Sequence, residues 1–249
     1  MKPLFNYQGA DMRKRVVSGL LAALLVLIAT AVLADQYTDQ GWSLKSEKNG
    51  LKIYNREKAG SSIKELLAIT DVDAPSWRVF AVIGDYDSFK DFMPYTKVSK
   101  VLEKKPVSDK KTINYFLTAL ELPLVANRYY TLQLTDEKDV DGKPGVYRSA
   151  WTMSKEPGLD PSWDDPKVKD LFPKGFSNPI KTAINNGYWL IEPTGDGSRS
   201  HINYYVFTDP GGKIPAWVAN QANGTAVPKL MSALRDRLKD PRYDRFAPK

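Results

Sequence analysis

The sequence predicts an α+β domain built on one curved antiparallel sheet and closed by a long C-terminal helix. Three observations lead there. Short segments of alternating or β-rich composition follow one another from residue 50 to residue 209, separated by turn residues. The strand segments do not alternate regularly with helices, which rules against a parallel sheet. The last long segment, residues 211–238, carries apolar residues at helical spacing.

Residues 1–34 are set apart first. Arg13, Lys14 and Arg15 precede an apolar run from Val16 to Ala34 that ends in "AVLA", with Val32 and Ala34 placed as in a signal-peptidase site. A secretory signal peptide is expected, and with it a secreted, periplasmic location in a Gram-negative bacterium. The alternative is an uncleaved inner-membrane anchor, since 19 such residues just suffice to span a bilayer. Without this segment the chain has 215 residues, enough for one core. Losing Lys2, Arg13, Lys14 and Arg15 together with Asp11 lowers the formal charge from +7 to +4. The remaining charges are scattered, with no basic stripe, so no nucleic-acid partner is expected. Transient contact with an anionic membrane surface is allowed by this charge.

"GLKIYNRE" (50–57) and "SIKELLAITDV" (62–72) read as a hairpin around Ala59-Gly60. "APSWRVFAVIGDYDSFKDFM" (74–93) switches to helical spacing, and Pro94 ends it. Strands are expected over residues 96–104, 112–120, 127–137 and 145–156, then a hairpin over 186–193 and 200–209. Residues 157–185, with five prolines, interrupt this series and are expected to form an insertion at the rim of a cavity. The terminal helix contains Gly224 and Pro228 in its interior, which predicts a bend.

Inward positions suggest a cavity under that helix. Tyr147, Ser149, Trp151 and Met153 share one strand face; Gly187, Trp189 and Ile191 another; Tyr204, Val206 and Thr208 a third. Arg128 shares a face with Tyr130, Leu132 and Leu134. Helix residues Trp217 and Met231, with Phe92 from the short helices, complete the expected wall. Large apolar side chains mixed with a few polar ones are the lining of a hydrophobic-ligand pocket. Arg128 has two readings, a salt-bridged or rim position and an anchor for a ligand hydroxyl or phosphate.

Catalytic chemistry is sparsely supplied. There is no cysteine, and His201 is the one histidine, so thiol nucleophiles and multi-histidine metal sites are excluded. No nucleophile elbow occurs. Asp85, Asp87 and Asp91 read as capping and solvated positions. No catalytic residue, metal or cofactor is expected.

Residues 42–240 resemble the START (StAR-related lipid-transfer) superfamily. The resemblance is carried by "GLKIYNRE", "APSWRVFAVIGDYDSFKDFMPYTKVSKVLE", "ELPLVANRYYTLQL", which is similar to the family's Pro-x-x-x-Asn-Arg-aromatic strand, and "GYWLIEPTGDGSRSHINYYVFTDPGGKIPAWVAN". It implies a helix-grip fold with an internal tunnel and non-catalytic binding and transfer of a sterol, hopanoid or phospholipid by a monomer. A cyclase or hydrolase of the wider superfamily is the alternative. The proline-rich 157–185 segment departs from the family's usual short connection.

Overall fold

A computed structural model describes residues 37–248 except Leu124; the segment read as a signal peptide lies outside the described residues. The chain divides into two units, residues 1–43 and residues 44–249. Of the first, the described part is a 3-10 turn, Thr38–Gln40, and the residues that follow it.

From Ser43 onward the described residues form one curved ten-stranded sheet that does not close into a barrel. Its strands are β1 (Ser43–Lys48), β2 (Leu51–Arg56), β3 (Glu65–Val72), β4 (Thr96–Ser108), β5 (Lys111–Leu120), β6 (Arg128–Lys138), β7 (Tyr147–Met153), β8 (Ile180–Lys181), β9 (Ile184–Thr194) and β10 (Arg199–Asp209). Among the described residues three α-helices accompany them: α1 (Ser76–Ile83), α2 (Phe89–Phe92) and α3 (Ala216–Arg237). The strand order is β1-β2-β3-β10-β9-β7-β6-β5-β4. β10 therefore pairs with β3 and joins the N-terminal hairpin to the later meander.

Two strands lie outside the sequence expectation. β1 meets β2 through Asn49-Gly50, both at positive φ (51° and 71°), the geometry of a tight hairpin turn. β8 pairs with β6 in parallel, an exception in an otherwise antiparallel sheet. It occupies the position beside Arg128 and Tyr129 that β7, which pairs with β6 only from Leu132 onward, leaves open.

The inner face of the sheet packs on α1 and the C-terminal half of α3. Val79, Val82, Ile83, Ile191, Ile202, Met231 and Leu234 are buried to within 1% there. α3 begins after Pro215 and runs through Pro228 without interruption. Arg78 ties this core to the C-terminal segment, donating to the carbonyls of Leu238 and Asp240 and pairing with Asp244.

The proline-rich segment after β7 packs mainly on the other side of the sheet. Val168 and Phe176, with Trp163 and Phe172, cover Val98, Leu117, Ala119 and Tyr129 on the outer face of β4 to β6. Its regular elements are a 3-10 turn, Lys169–Leu171, then β8 and the first residues of β9. Among the described residues, no helix is long and apolar enough to cross a membrane.

Candidate ligand cavity

Between the sheet and the N-terminal half of α3 lies a cavity of about 380 Å³. β5, β6, β7, β9 and β10 supply its floor, and Val218, Ala222, Thr225 and Ala226 of α3 its roof. Ala219, Val227 and Leu230 of the same helix also line the space; apart from Leu230 these side chains are small to medium-sized, so most of the helix covers the space without filling it. Met93, Tyr95, Leu122, Pro123, Val125, Pro210 and Ile214 surround one end. Tyr95 is tied to α3 through its hydroxyl, which accepts from Lys229 Nζ at 2.7 Å.

Six of the twelve expected wall residues line this space: Arg128, Tyr130, Trp151, Trp189, Tyr204 and Val206. Six do not, and packing explains each. Ile191 and Met231 face inward, 0% and 1% exposed, but at the end where α1 fills the gap. Tyr147 stacks on Phe80 of α1, with ring centroids 4.6 Å apart. Phe92 lies under the Arg237 guanidinium, 4.9 Å from its centroid. Met153 packs against the core from the end of β7, beyond Trp151. Trp217 is 69% exposed, because the roof stripe passes through its neighbour Val218, a rotation of about 100° around the helix.

The wall's aromatic centre is held in place by polar contacts. Tyr204 packs between two indoles, 4.3 Å from Trp189 and 5.9 Å from Trp151 by ring centroids. Trp151 Nε1 donates to Asn185 Oδ1 at 2.9 Å, and Thr208 donates to the same oxygen at 3.3 Å. Trp151 lies over Gly187, where an added Cβ would stand 2.5 Å from the indole and 2.2 Å from the Tyr205 carbonyl oxygen.

Arg128 is neither salt-bridged nor at a rim. It is 2% exposed, and its guanidinium donates to four backbone carbonyls. Nε reaches Pro210 at 2.7 Å; Nη1 reaches Ala126 and, at 3.3 Å, Asn127; Nη2 reaches Gly211 at 3.2 Å. Burial lowers its pKa from the usual arginine value. The side chain thus joins the start of β6 to the β10–α3 connection.

Sequence reasoning missed a second polar group on the wall. Tyr86 donates to Asp136 Oδ1 at 2.7 Å and lies 2.9 Å from Ser149 Oγ; Asn114 donates to Asp136 Oδ2 at 2.8 Å. Burial, outweighing these hydrogen bonds, raises the Asp136 carboxyl above its ordinary value. Burial, then Asp136, raises the Tyr86 phenol well above its own. The alternation of β6 places Asp136 on the face of Arg128 and Tyr130, the signal that pointed to it. Among the described residues, no cluster of His, Asp and Glu suited to a metal ion occurs.

A family model described as "Polyketide cyclase / dehydrase and lipid transport" matches residues 72–235. An uncharacterized protein of Pseudomonas aeruginosa is 26% identical over 87% of this chain and 96% of its own length. The mouse protein named phosphatidylcholine transfer protein is 28% identical over 78% of this chain and 82% of its own. The crystal structure of a STAR-related lipid transfer protein fragment from Xanthomonas axonopodis superposes with a TM-score of 0.61 and 27% identity, covering 80% of this chain and 99% of that one. The fold expected from the START resemblance is the fold observed.

Proposed function

The chain belongs to the polyketide cyclase/dehydrase and lipid transport family, and we propose that within it this protein binds and transfers a hydrophobic molecule without chemically altering it. The observation that carries this reading is the mostly apolar cavity roofed by α3, whose lining side chains are mainly small. Its volume lies at the low end of the roughly 300–1,000 Å³ range of small-molecule sites. That favours one polycyclic or single-chain molecule, a sterol or hopanoid for example, over a two-chain phospholipid in this conformation. The names of the mouse and Xanthomonas relatives support lipid as the class. The leader-like residues 1–34 support a periplasmic site of action, and the protein is proposed to work as a monomer. Mass spectrometry of an organic extract of the purified protein is expected to show a sterol-like, hopanoid or acyl-chain compound near one per chain. An empty extract, together with no uptake of such compounds, overturns the proposal.

Exchange requires the roof to open, and α3 is built in two parts. Met231, Leu234 and Leu238 anchor its end in the core. Before them, Pro228 lacks the N–H that would bond the Gly224 carbonyl. Gly224 is not at positive φ, and a Cβ there would meet nothing within 4 Å. Neither backbone shape nor crowding demands a glycine, so its effect is to weaken the helix. The half of α3 before Gly224 is the proposed gate, and exposed Trp217 on it the proposed membrane contact. In a vesicle-to-vesicle transfer assay, Gly224→Ala/Pro228→Ala is expected to slow exchange several-fold while raising stability. Trp217→Ser is expected to slow transfer with unchanged equilibrium affinity. Normal transfer by both variants removes the gate and the membrane contact.

A second reading, a cyclase or hydrolase acting on a hydrophobic substrate, is favoured by the raised Asp136 carboxyl beside Tyr86 and Ser149. Recovery of the extracted compound unaltered after prolonged incubation with the protein speaks against it.

A further inference from the structure

Tyr130 of β6 and Tyr204 of β10 both line the cavity and leave two hydroxyl protons unassigned. The Tyr204 phenol makes no hydrogen bond among the described residues, although the residue is only 9% exposed. Buried phenols ordinarily find a partner, because a stranded O–H carries its full desolvation cost. Burial pushes the Tyr204 phenol far above its usual pKa, and neighbouring Tyr130 pushes it further.

Tyr130 is constrained through Asn185. The Asn185 carbonyl oxygen already accepts from Trp151 and Thr208, which leaves its amide NH2 as its remaining polar group. Asn185 opposes the rise caused by burial, which still brings Tyr130 to about 12. The Tyr130 hydroxyl proton, on a residue that lines the cavity, has no acceptor among the described residues. Both phenols stay protonated at neutral pH, so the wall offers two donors in an otherwise apolar region.

We propose that Tyr130 and Tyr204 together form a donor site for an uncharged acceptor oxygen on the ligand, a ketone or ester carbonyl, held beside the Trp151–Trp189 aromatic centre. A carbonyl oxygen has two lone pairs and brings no proton, so it can satisfy both donors. A purely hydrocarbon ligand would strand them. The inference rests on the ligand-binding reading above and narrows it to oxygenated hydrophobic molecules.

The test uses two matched pairs of probes, cholestanone with cholestane and methyl palmitate with heptadecane. Affinity is read by tryptophan fluorescence in the wild type, Tyr130→Phe, Tyr204→Phe and the double variant. The measured quantity is the carbonyl-to-hydrocarbon affinity ratio within a pair; comparing it between variants cancels the difference in hydrophobicity. Each Tyr→Phe change is expected to lower the ratio roughly three- to tenfold, as loss of one net hydrogen bond does, leaving hydrocarbon affinity unchanged or slightly improved. Hydrocarbon affinity thereby reports that each variant is folded. A ratio unchanged in Tyr204→Phe and in the double variant overturns the donor site while ligand binding stands. Failure of all four probes to bind the wild type overturns both.

Discussion

Arg128→Met is expected to lower stability by about 3 kcal/mol, and so to lower Tm by roughly 6–12 °C for a chain of this size. Methionine keeps much of the volume and removes every donor. Three carbonyls, those of Ala126, Pro210 and Gly211, then lose their partner, while that of Asn127 keeps the Ile180 N–H at 2.8 Å. Each such loss of a charge-assisted bond is worth about 1.5 kcal/mol, and release of a buried cation offsets part of the sum. Arg128→Lys should fall between, since an ammonium has three donors and cannot reach four carbonyls in a plane. The released segment, Pro210–Gly211, leads into the roof helix, so faster ligand loss should accompany the lower Tm. Thermal melts and off-rates of a bound fluorescent lipid measure both. A normal Tm with abolished binding would mean instead that the cation serves the ligand and not the chain.

The role of Arg128 marks the limit of what residue patterns convey. Its inward face follows from alternation with Tyr130, Leu132 and Leu134. Its partners do not, because two of them lie more than 80 residues away in the β10–α3 connection. The same holds for the cavity's extent. Trp189 and Ile191 share a strand face, yet one lines the cavity and the other is core. What separates them is α1, which fills one end of the gap with Val79, Val82 and Ile83, and no local pattern gives that docking. On α3, attention to large side chains selected Trp217. The roof is made mainly by Val218, Ala219, Ala222, Thr225 and Ala226, with Val227 and Leu230 beyond them, because small residues are what leave space. β1 was missed although a signal existed, since Asn49-Gly50 is a strong hairpin turn ahead of a strand. β8, two residues long, carries none.

Gly187→Ala tests the aromatic wall at its tightest point. Gly187 pairs with Trp151 on one side and Val206 on the other. Its φ is not positive, so glycine is required for space and not for backbone conformation. The methyl group would overlap the Trp151 ring at 2.5 Å and the Tyr205 carbonyl oxygen at 2.2 Å. The carbonyl belongs to the sheet backbone and has little room to yield, so the indole and both strands must shift. Moving the indole breaks the bond from Trp151 Nε1 to Asn185, whose oxygen also holds Thr208. Overpacking of this kind costs about 3 kcal/mol or more. The variant is therefore expected to melt well below the wild type, to show altered tryptophan emission and to lose ligand affinity. Gly224→Ala is the internal control: its methyl enters open space, and the gain in helix propensity is up to about 1 kcal/mol. One methyl group thus carries opposite signs at two glycines of the same domain. A Gly187→Ala protein with wild-type Tm and emission would show that Trp151 does not sit across Gly187, and the wall built on that contact would have to be redrawn.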